Sequence, residues 1–438
     1  MLKDSFCSSP WFHLRLTRDG SYQECRWSEN RSIRDGSSNI KNTSLLEYYN
    51  STRMRSLRMS LLNGEKPDLC QACYYQDSFN KISGRIKQLH KSAVNLENFD
   101  LTLRSSSHFK NFDHSNNNDG HSDYFPVDLQ IDLGNICNSA CIMCDPFSST
   151  RLSADYEKLN KTTPSLFKKP DRFSAWTKDL ALVDKFVDEL DQIPNLKYIH
   201  FLGGETLYDP AFYSICERLI NSGKSKDIIV GTTTNGTIYD NRVEKLLSNF
   251  KEFHLGVSIE SVTELNDYIR YPGKIDPILS NLDKFLSLRN NVDLQVSLRI
   301  TPNIFTINEY DLLVDYMIEK NVISESCNIL YNPPCLKMEL MPDDVRYAII
   351  QRLDDRIKRY SLTKSNIINI RNNNVVSSVI SDNVLEYKNF LENYKVPDNV
   401  ETLRYQLVDF LKSFESIRKN SILDYAPQYK QFLRSYGY

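Results

Sequence analysis

The sequence predicts an α/β protein: an incomplete parallel barrel of six βα units, preceded by a cysteine-rich α+β segment and followed by a helical region. Between residues 125 and 340, short β-rich runs alternate with helical patterns, as in a parallel sheet covered by helices. Several of these runs also alternate polar and apolar residues, which gives each strand one polar face. A curved sheet with a polar interior explains that face, and a flat sheet with one solvated face is the alternative.

The predicted elements follow from these periodicities. The six strands are 127–133, 198–202, 228–233, 253–259, 294–300 and 328–331. The helices between them are 178–190, 211–221, 242–250, 278–288 and 309–320. A helical pattern continues after Met341, over 343–360, 383–394, 401–416 and 426–435. Together these elements predict a partial (β/α)6 TIM-like barrel with a helical extension.

The 438 residues exceed what one core usually serves, so several domains are expected. The segment before the barrel contains a strand-like piece at 11–17 and a helical pattern at 44–62. The stretch 105–122 is rich in Ser, His, Asn and Asp and reads as a linker. The predicted divisions are a cysteine-rich module at 1–104, a polar linker at 105–124, the barrel at 125–340 and the helical region at 341–438.

Composition narrows the class of protein. The formal net charge is −2, which argues against nucleic-acid binding, and there is no unbroken apolar run of membrane-spanning length. The first residues carry no export signal, so we expect a cytoplasmic protein. In that compartment the ten cysteines should be reduced, and their spacing is better interpreted as metal binding or catalysis than as disulfides.

Three cysteines form a C-x3-C-x2-C loop directly after the first predicted barrel strand. Cys137, Cys141 and Cys144 thus lie at the carboxyl end of that strand, where the active sites of βα barrels are found. Three thiolates can ligate three irons of a four-iron cluster and leave one iron for an external ligand. A structural zinc site needs four ligands, and no fourth Cys or His lies close by in sequence.

This loop resembles the signature of the radical S-adenosylmethionine (radical SAM) superfamily, and the resemblance extends over residues 127–334. It implies a [4Fe-4S] cluster that passes one electron to bound S-adenosylmethionine. The products are methionine and a 5'-deoxyadenosyl radical, which abstracts hydrogen from a substrate. The resemblance also implies an electron donor, such as flavodoxin or ferredoxin.

The resemblance further assigns residues to the cofactor. Gly203, Gly204 and Glu205 match the loop for the methionine ammonium group, where the glycines let the backbone approach and the carboxylate accepts a hydrogen bond. Met143 occupies the place of a residue that contacts adenine, and it supplies apolar surface without ring stacking.

Four more residues are predicted at strand ends. Ser258 and Glu260 match positions that hydrogen-bond the ribose hydroxyls, and the strand alternation places both on the polar face. Asn235 and Arg299 are further candidates for cofactor or substrate contact. The arginine could pair with the methionine carboxylate, or it could neutralise carboxylates of the first strand.

A second cysteine set lies in the N-terminal module. Cys7, Cys25, Cys70 and Cys73 could hold a complete iron–sulfur cluster or a zinc ion. Their surroundings resemble the auxiliary-cluster twitch or SPASM-type modules of radical enzymes, although this module precedes the barrel instead of following it. The resemblance implies an auxiliary iron–sulfur cluster, with zinc as the alternative.

Three functional hypotheses follow. The first is a radical SAM enzyme that modifies a peptide, a protein or a small metabolite; a related one is an epimerase or dehydrogenase of a sugar or natural product. The third, from a different class, is a non-catalytic zinc-binding interaction protein. Cys335 could donate a hydrogen atom to a substrate radical or could simply be a buried thiol.

Overall fold

The computed structural model describes residues 5–26, 38–78, 83–91, 107–170, 174–324, 327–363 and 375–438. Within these residues eight strands form one sheet. They are β1 (His13–Leu16), β2 (Tyr22–Gln23), β3 (Asp128–Asp132), β4 (Tyr198–Leu202), β5 (Ile229–Thr234), β6 (Glu252–Ser258), β7 (Leu294–Arg299) and β8 (Ile323–Ser324). The order is β2-β1-β3-β4-β5-β6-β7-β8, and every neighbouring pair is parallel except β1 with β2. The predicted α/β fold is confirmed.

Helices connect the strands and extend the chain beyond them. Their bounds are Ser9–Phe12, Leu45–Tyr49, Thr52–Leu62, Gln71–Ser78, Gly84–Lys91, Ser107–Asn117, Thr150–Leu159, Leu180–Asp191, Pro210–Asn221, Asn241–Leu247, Leu265–Ile269, Ile275–Leu288, Tyr310–Lys320, Asp343–Arg359, Val375–Asn393, Val400–Arg418 and Lys430–Ser435. In the described part of the chain, no helix has both the length and the apolar character needed to cross a bilayer.

The polar face of the sheet is buried at β3. All five residues of β3 are inaccessible, including the polar residues Asp128, Gln130 and Asp132. The Arg15 guanidinium lies 2.5 Å from the Asp132 carboxylate, and Gln130 donates to the same group at 3.2 Å. Buried polar groups are tolerated when they are paired in this way. A flat sheet with one solvated face is therefore excluded at β3.

The sixth predicted strand is wrong. Residues 328–331 have no strand structure, and the sheet ends instead with β8, which pairs with β7 through Ser297 and Ile323. The apolar residues of the predicted strand are used for packing, since Leu330 is buried in the core. The Asn328 amide donates to the Tyr387 hydroxyl at 2.9 Å, so a side chain from a distant helix takes the place of a neighbouring strand.

Two predicted N-terminal elements are also divided differently. The helix expected over 44–62 is two helices, because Ser51 begins a second one by accepting a hydrogen bond from the Met54 amide. The strand expected over 11–17 begins only at His13. Pro10 favours a first helical turn at Ser9–Phe12 and delays the strand.

The N-terminal segment contributes to the same sheet as the barrel strands. β1 lies parallel to β3, with His13 opposite Asp128 and Leu16 opposite Ile131. Its apolar residues Leu14 and Leu16 belong to the main hydrophobic core. The segment before the barrel is thus joined to it by backbone pairing as well as by the chain.

The segment predicted as a polar linker contains a packed helix, Ser107–Asn117. Phe112 is 2% exposed and meets the rings of Phe6, Trp11 and Phe12 edge-on, at centroid distances of 5.1, 5.0 and 5.9 Å. The Trp11 indole N–H donates to the Ser115 hydroxyl at 2.9 Å. One aromatic residue and buried hydrogen bonds therefore secure a helix whose composition is otherwise polar.

The C-terminal helix Val400–Arg418 packs beside the start of the barrel. Phe410 stacks on Phe167 at 5.4 Å, and Phe414 meets the rings of Phe167 and Tyr156 edge-on at 5.4 and 6.2 Å. Tyr156 belongs to Thr150–Leu159, the helix that follows the cysteine loop. The C-terminal helical region thus lies next to that loop.

The packing of Phe112 predicts that residues 107–124 are part of the folded core. Phe112→Ala should lower the free energy of unfolding by about 3–5 kcal/mol, because it leaves a cavity among three aromatic rings. Tyr331→Ala is the control: that ring is 75% exposed, and its loss should change stability by no more than about 0.5 kcal/mol. Chemical denaturation measures both, and equal effects would contradict this packing.

Candidate active site

The cysteine loop leaves the carboxyl end of β3 and is fixed along its backbone. The Ala140 amide donates to the Tyr271 carbonyl at 2.6 Å, and the Ile142 amide donates to the Ile269 carbonyl at 2.9 Å. The Ser149 hydroxyl donates to the Ser139 carbonyl at 2.6 Å. The loop is therefore held by neighbouring segments as well as by its own turn, in which the Cys144 amide donates to the Cys141 carbonyl at 3.1 Å.

The structure brings Cys137, Cys141 and Cys144 together. Burial raises the pKa of Cys137 and of Cys144 to about 12, with a contribution from the charge of the neighbouring cysteines. Thiolates are the form that binds metal, and a cationic metal centre would supply the charge that this buried cluster of thiols lacks. In its chemistry the donor set fits an iron–sulfur cluster.

The spacing of these sulfur atoms also bears on the metal. Four thiolates around one zinc ion at 2.3 Å lie about 3.8 Å apart. Among the described residues, the sets of three His, Cys, Asp or Glu side chains whose ligand atoms all lie within 4.8 Å of one another do not include Cys137, Cys141 and Cys144. The sulfur atoms of this loop are therefore not all within 4.8 Å of one another.

The Gly203-Gly204-Glu205 loop presses against the cysteine loop. A Cβ atom on Gly204 would lie 2.3 Å from the Ile136 carbonyl oxygen and 2.7 Å from the Asn135 carbonyl carbon. The Glu205 amide donates to the same Ile136 carbonyl at 2.8 Å. Only glycine allows this contact, so Gly204 sets the distance between the ends of β3 and β4.

Glu205 is 2% exposed, and its carboxylate lies between two backbone segments. It accepts hydrogen bonds from the Thr234 hydroxyl at 2.6 Å, the Asn235 amide at 2.5 Å and the Leu207 amide at 3.1 Å. Burial raises the pKa of Glu205, and these hydrogen bonds oppose that rise. The carboxylate thus braces the ends of β4 and β5, and its contact with a methionine ammonium group stays a prediction.

Asn235 braces the cysteine loop from the end of β5. Its side-chain amide donates to the Asn138 side-chain oxygen at 2.7 Å and to the Ser139 hydroxyl at 2.9 Å. The Asn235 side-chain oxygen accepts from the Thr237 hydroxyl at 2.7 Å. The residue is therefore placed at the site, in contact with the segment between the first two cysteines.

Glu260 lies beyond the end of its strand, where the strand alternation used to predict its position no longer applies. The strand alternation ends with β6 at Ser258, and Glu260 is fully buried in an ion pair with Arg270, whose Nη2 lies 2.8 Å from the Glu260 Oε1. Arg270 Nη1 lies 3.9 Å from the Cys141 Sγ. Burial lowers the pKa of Arg270, but Glu260 and Cys141 outweigh it and keep the guanidinium charged.

Arg270 is a residue that sequence reasoning missed, and Arg418 is another. Arg418 Nη2 donates to the Ala140 carbonyl at 2.6 Å and to the Asp155 carboxylate at 3.0 Å. Its guanidinium lies 4.8 Å from the centre of the Tyr271 ring. The last residue of a C-terminal helix thus contacts the backbone beside Cys141, a contact that no local signal in the sequence indicates.

The remaining predicted residues line the same end of the sheet. Met143 is half-buried, and its sulfur lies 3.6 Å from the Asn303 side-chain amide. Ser258 stands half-buried opposite Arg299 in the β6–β7 register. The Arg299 side chain covers Gly256, where a Cβ would approach its Nε to 2.5 Å. The glycine therefore makes room for the arginine on the polar face.

Comparison with known families identifies this region. Residues 131–310 match the profile of the Radical SAM superfamily. This segment is a radical SAM domain. It contains all three cysteines of the loop, the Gly-Gly-Glu loop and Arg270. The family implies S-adenosylmethionine and a [4Fe-4S] cluster as cofactors, and the domain is that of an enzyme whose substrate the match leaves unassigned.

Solved structures resemble the chain only distantly. One is native anSMEcpe with bound AdoMet, at 17% identity and a TM-score of 0.38, with 54% of this chain and 62% of that one covered. Another is Streptococcus suis SuiB bound to the precursor peptide SuiA, at 14% identity and a TM-score of 0.38, with 71% of this chain and 64% of that one covered. The alignments thus span less than two thirds of these two proteins. At such TM-scores they support no statement about this chain's substrate, and no curated protein matches its sequence.

The second cysteine set converges outside the radical SAM domain. Burial raises the pKa of Cys7 and of Cys70 to about 12. The charges of Cys25 and Cys73 add to the rise at Cys70, so the four thiols share one neighbourhood although they are far apart in sequence. Cys335, by contrast, is 5% exposed within the main hydrophobic core, as expected for a buried thiol.

The contact between Gly204 and the cysteine loop makes a testable prediction. Gly204→Ala should force the loops after β3 and β4 apart and lower the thermal stability of the radical SAM domain, because its Cβ would overlap backbone atoms that cannot rotate away. Gly203→Ala is the matched control, since its Cβ would find its nearest neighbour at 3.6 Å. Equal melting temperatures for the two variants would argue against the contact.

Proposed function

We propose that the protein is a radical SAM enzyme whose [4Fe-4S] cluster is held by Cys137, Cys141 and Cys144. When bound, that cluster and S-adenosylmethionine supply a 5'-deoxyadenosyl radical that abstracts hydrogen from a peptide, a protein or a small metabolite. The observation that carries the proposal is the convergence of three thiols, one buried and two half-buried, at the carboxyl end of β3, inside the matched domain.

The chain's own residues would first hold the loop rigid. Asn235 supports it from β5, the Gly204 backbone supports it from β4, and Arg418 supports it from the C-terminal helix. These three contacts come from separate parts of the chain. A rigid ligand loop keeps cluster and cofactor in register, which radical chemistry requires if the hydrogen is to come from one defined position.

Charge at the site would be balanced by Arg270. Three thiolates bring negative charge into a buried environment, and the Arg270 guanidinium lies against Cys141. Glu260 orients that guanidinium from the other side and stays buried with it. A cation in this position stabilises the more negative, reduced form of the cluster and so makes the cluster easier to reduce.

S-adenosylmethionine would bind across the same strand ends. We assign Gly203, Gly204 and Glu205 to its ammonium group, through backbone and carboxylate oxygens. Met143 offers apolar surface for the adenine. Ser258 and Arg299, which face each other across β6 and β7, would contact the ribose and the methionine carboxylate.

For the N-terminal set we propose an auxiliary iron–sulfur cluster on Cys7, Cys25, Cys70 and Cys73. As at the first site, these cysteines are not in the sets of described residues whose ligand atoms all lie within 4.8 Å, although a single zinc ion would hold them closer. Four thiolates fully ligate a cluster, which suits electron relay or a structural role.

An electron donor such as flavodoxin or ferredoxin would reduce the enzyme. The substrate is best found by hydrogen transfer. Deuterated candidate peptides, amino acids and sugars would each be incubated with the reduced enzyme and S-adenosylmethionine. Deuterium in the 5'-deoxyadenosine identifies the substrate and the position attacked.

Loss of a cluster ligand tests the central assignment. Cys144→Ala should lose iron from the first site and abolish cleavage of S-adenosylmethionine to 5'-deoxyadenosine, because two thiolates do not hold the cluster. Cys216→Ala is the control: that cysteine is fully buried and lies in the apolar face of Pro210–Asn221. Retained cleavage in Cys144→Ala would refute the assignment.

The role of Arg270 is tested by the reduction potential. Arg270→Gln should make the potential of the cluster more negative, because it removes a buried positive charge beside Cys141. Combining it with Glu260→Gln restores the net charge and should bring the potential back toward that of the wild type. Redox titration followed by electron paramagnetic resonance measures both, and unchanged potentials would contradict the role.

A further inference from the structure

A cluster of metal-ligand type lies outside both cysteine sites. His114 Nε2 is 2.9 Å from Asp123 Oδ2, and His121 Nδ1 is 3.3 Å from Asp123 Oδ1. Among the described residues, these three form the set whose potential ligand atoms all lie within 4.8 Å of one another. No step of the proposed radical chemistry uses them.

The spacing suits a first-row divalent ion. Tetrahedral coordination with bonds of 2.0–2.2 Å separates neighbouring ligand atoms by about 3.3–3.5 Å. The His114–Asp123 distance of 2.9 Å lies below that range, and the His121–Asp123 distance of 3.3 Å, to the other carboxylate oxygen, lies at its lower end. Small side-chain rotations would therefore open the space for an ion. Two imidazoles and one carboxylate are a donor set that zinc, nickel, cobalt and iron(II) accept.

The backbone that carries these ligands is held in place by buried groups. Gly120 has φ +76°, and a Cβ there would lie 2.3 Å from the Arg55 carbonyl oxygen, so the turn is pressed against the helix Thr52–Leu62. Arg58 is fully buried and donates to the Gly120 carbonyl at 2.9 Å. The helix Thr52–Leu62 and Arg58 therefore hold the loop between the two histidines in one conformation.

A second anchor lies next to Asp123. Asn50 exchanges two hydrogen bonds with the backbone of Ser122: its amide donates to the carbonyl at 2.9 Å, and its oxygen accepts from the N–H at 3.0 Å. The Ser122 hydroxyl donates to the Asn111 side chain at 3.0 Å. Asn111 and His114 belong to the same helix, so these bonds fix Asp123 relative to His114.

The three ligands are also accessible. Their side chains are 31%, 44% and 63% exposed for His114, His121 and Asp123. The nearby Asp119 carboxylate pairs with Arg55 at 2.6 Å, so it does not belong to the set. Three protein ligands at a surface leave at least one coordination position for water, which is the arrangement of an open site.

We propose that His114, His121 and Asp123 bind a divalent transition-metal ion of the zinc type, with the remaining coordination open to solvent. The ion would tie the last turn of the helix Ser107–Asn117 to the loop that leads into β3. It would therefore close the turn between that helix and β3, a turn that lies just before the radical SAM domain. The proposal is independent of the cluster chemistry.

Zinc binding to the full chain tests the proposal. The anaerobically purified, iron-loaded protein would be titrated with zinc chloride, with binding followed by calorimetry and metal analysis. His121→Asn should bind one zinc equivalent fewer than the wild type, or bind it at least about 100-fold more weakly, because losing even a group that only orients a metal ligand costs about 10–100-fold in affinity. The cysteine sites are identical in both proteins, so the difference isolates this site.

His254→Asn is the matched control. His254 pairs with a carboxylate, Glu252, at 2.9 Å. Among the described residues, this pair does not belong to a set of three potential metal ligands. It should bind zinc as the wild type does. Zinc should also raise the melting temperature of the wild type and of His254→Asn, but not that of His121→Asn or Asp123→Asn. Equal zinc affinity and equal thermal shifts in all four proteins would overturn the proposal.

Discussion

The burial of three cysteine thiols at the end of β3 is the constraint on which the rest of the site depends. Each buried thiol resists ionisation, and each ionised neighbour makes the next ionisation harder. The fold places positive charge beside these thiols and holds their loop rigid. Arg270 lies against Cys141, and Arg418 holds the Ala140 carbonyl, so both cations converge on the middle of the loop. Their partners, Glu260 and Asp155, keep them in place.

The sequence predicted what depends on local pattern. The strands around the loop, the loop itself and the Gly-Gly-Glu turn are readable because strand alternation and close cysteine spacing span few residues. The tight approach of Gly204 to Ile136 is the physical reason for its glycine. The prediction of the sixth strand failed for a related reason. The apolar pattern around Leu330 indicates burial, but burial alone does not show that the segment pairs with a strand.

Residues that act through distant partners could not be predicted in this way. Arg270 lies ten residues from Glu260 but meets Cys141 across the fold, and Arg418 comes from another region entirely. The helix around Phe112 was missed because its composition is polar, and only the assembled aromatic cluster shows why it is ordered. Likewise, His114 and His121 can be recognised as a pair only in the fold, where Arg58, which is buried, and Asn50 fix the loop between them.

The pairing of β1 with β3 has a consequence for biosynthesis. His13 leaves the ribosome long before Asp128, its partner in the sheet, so β1 must wait for most of the N-terminal segment to be made before it can pair. During that interval its edge is open, and so are Cys7 and Cys25 on either side of it. If these cysteines hold the proposed auxiliary cluster, the order of synthesis links metal loading to closure of the sheet.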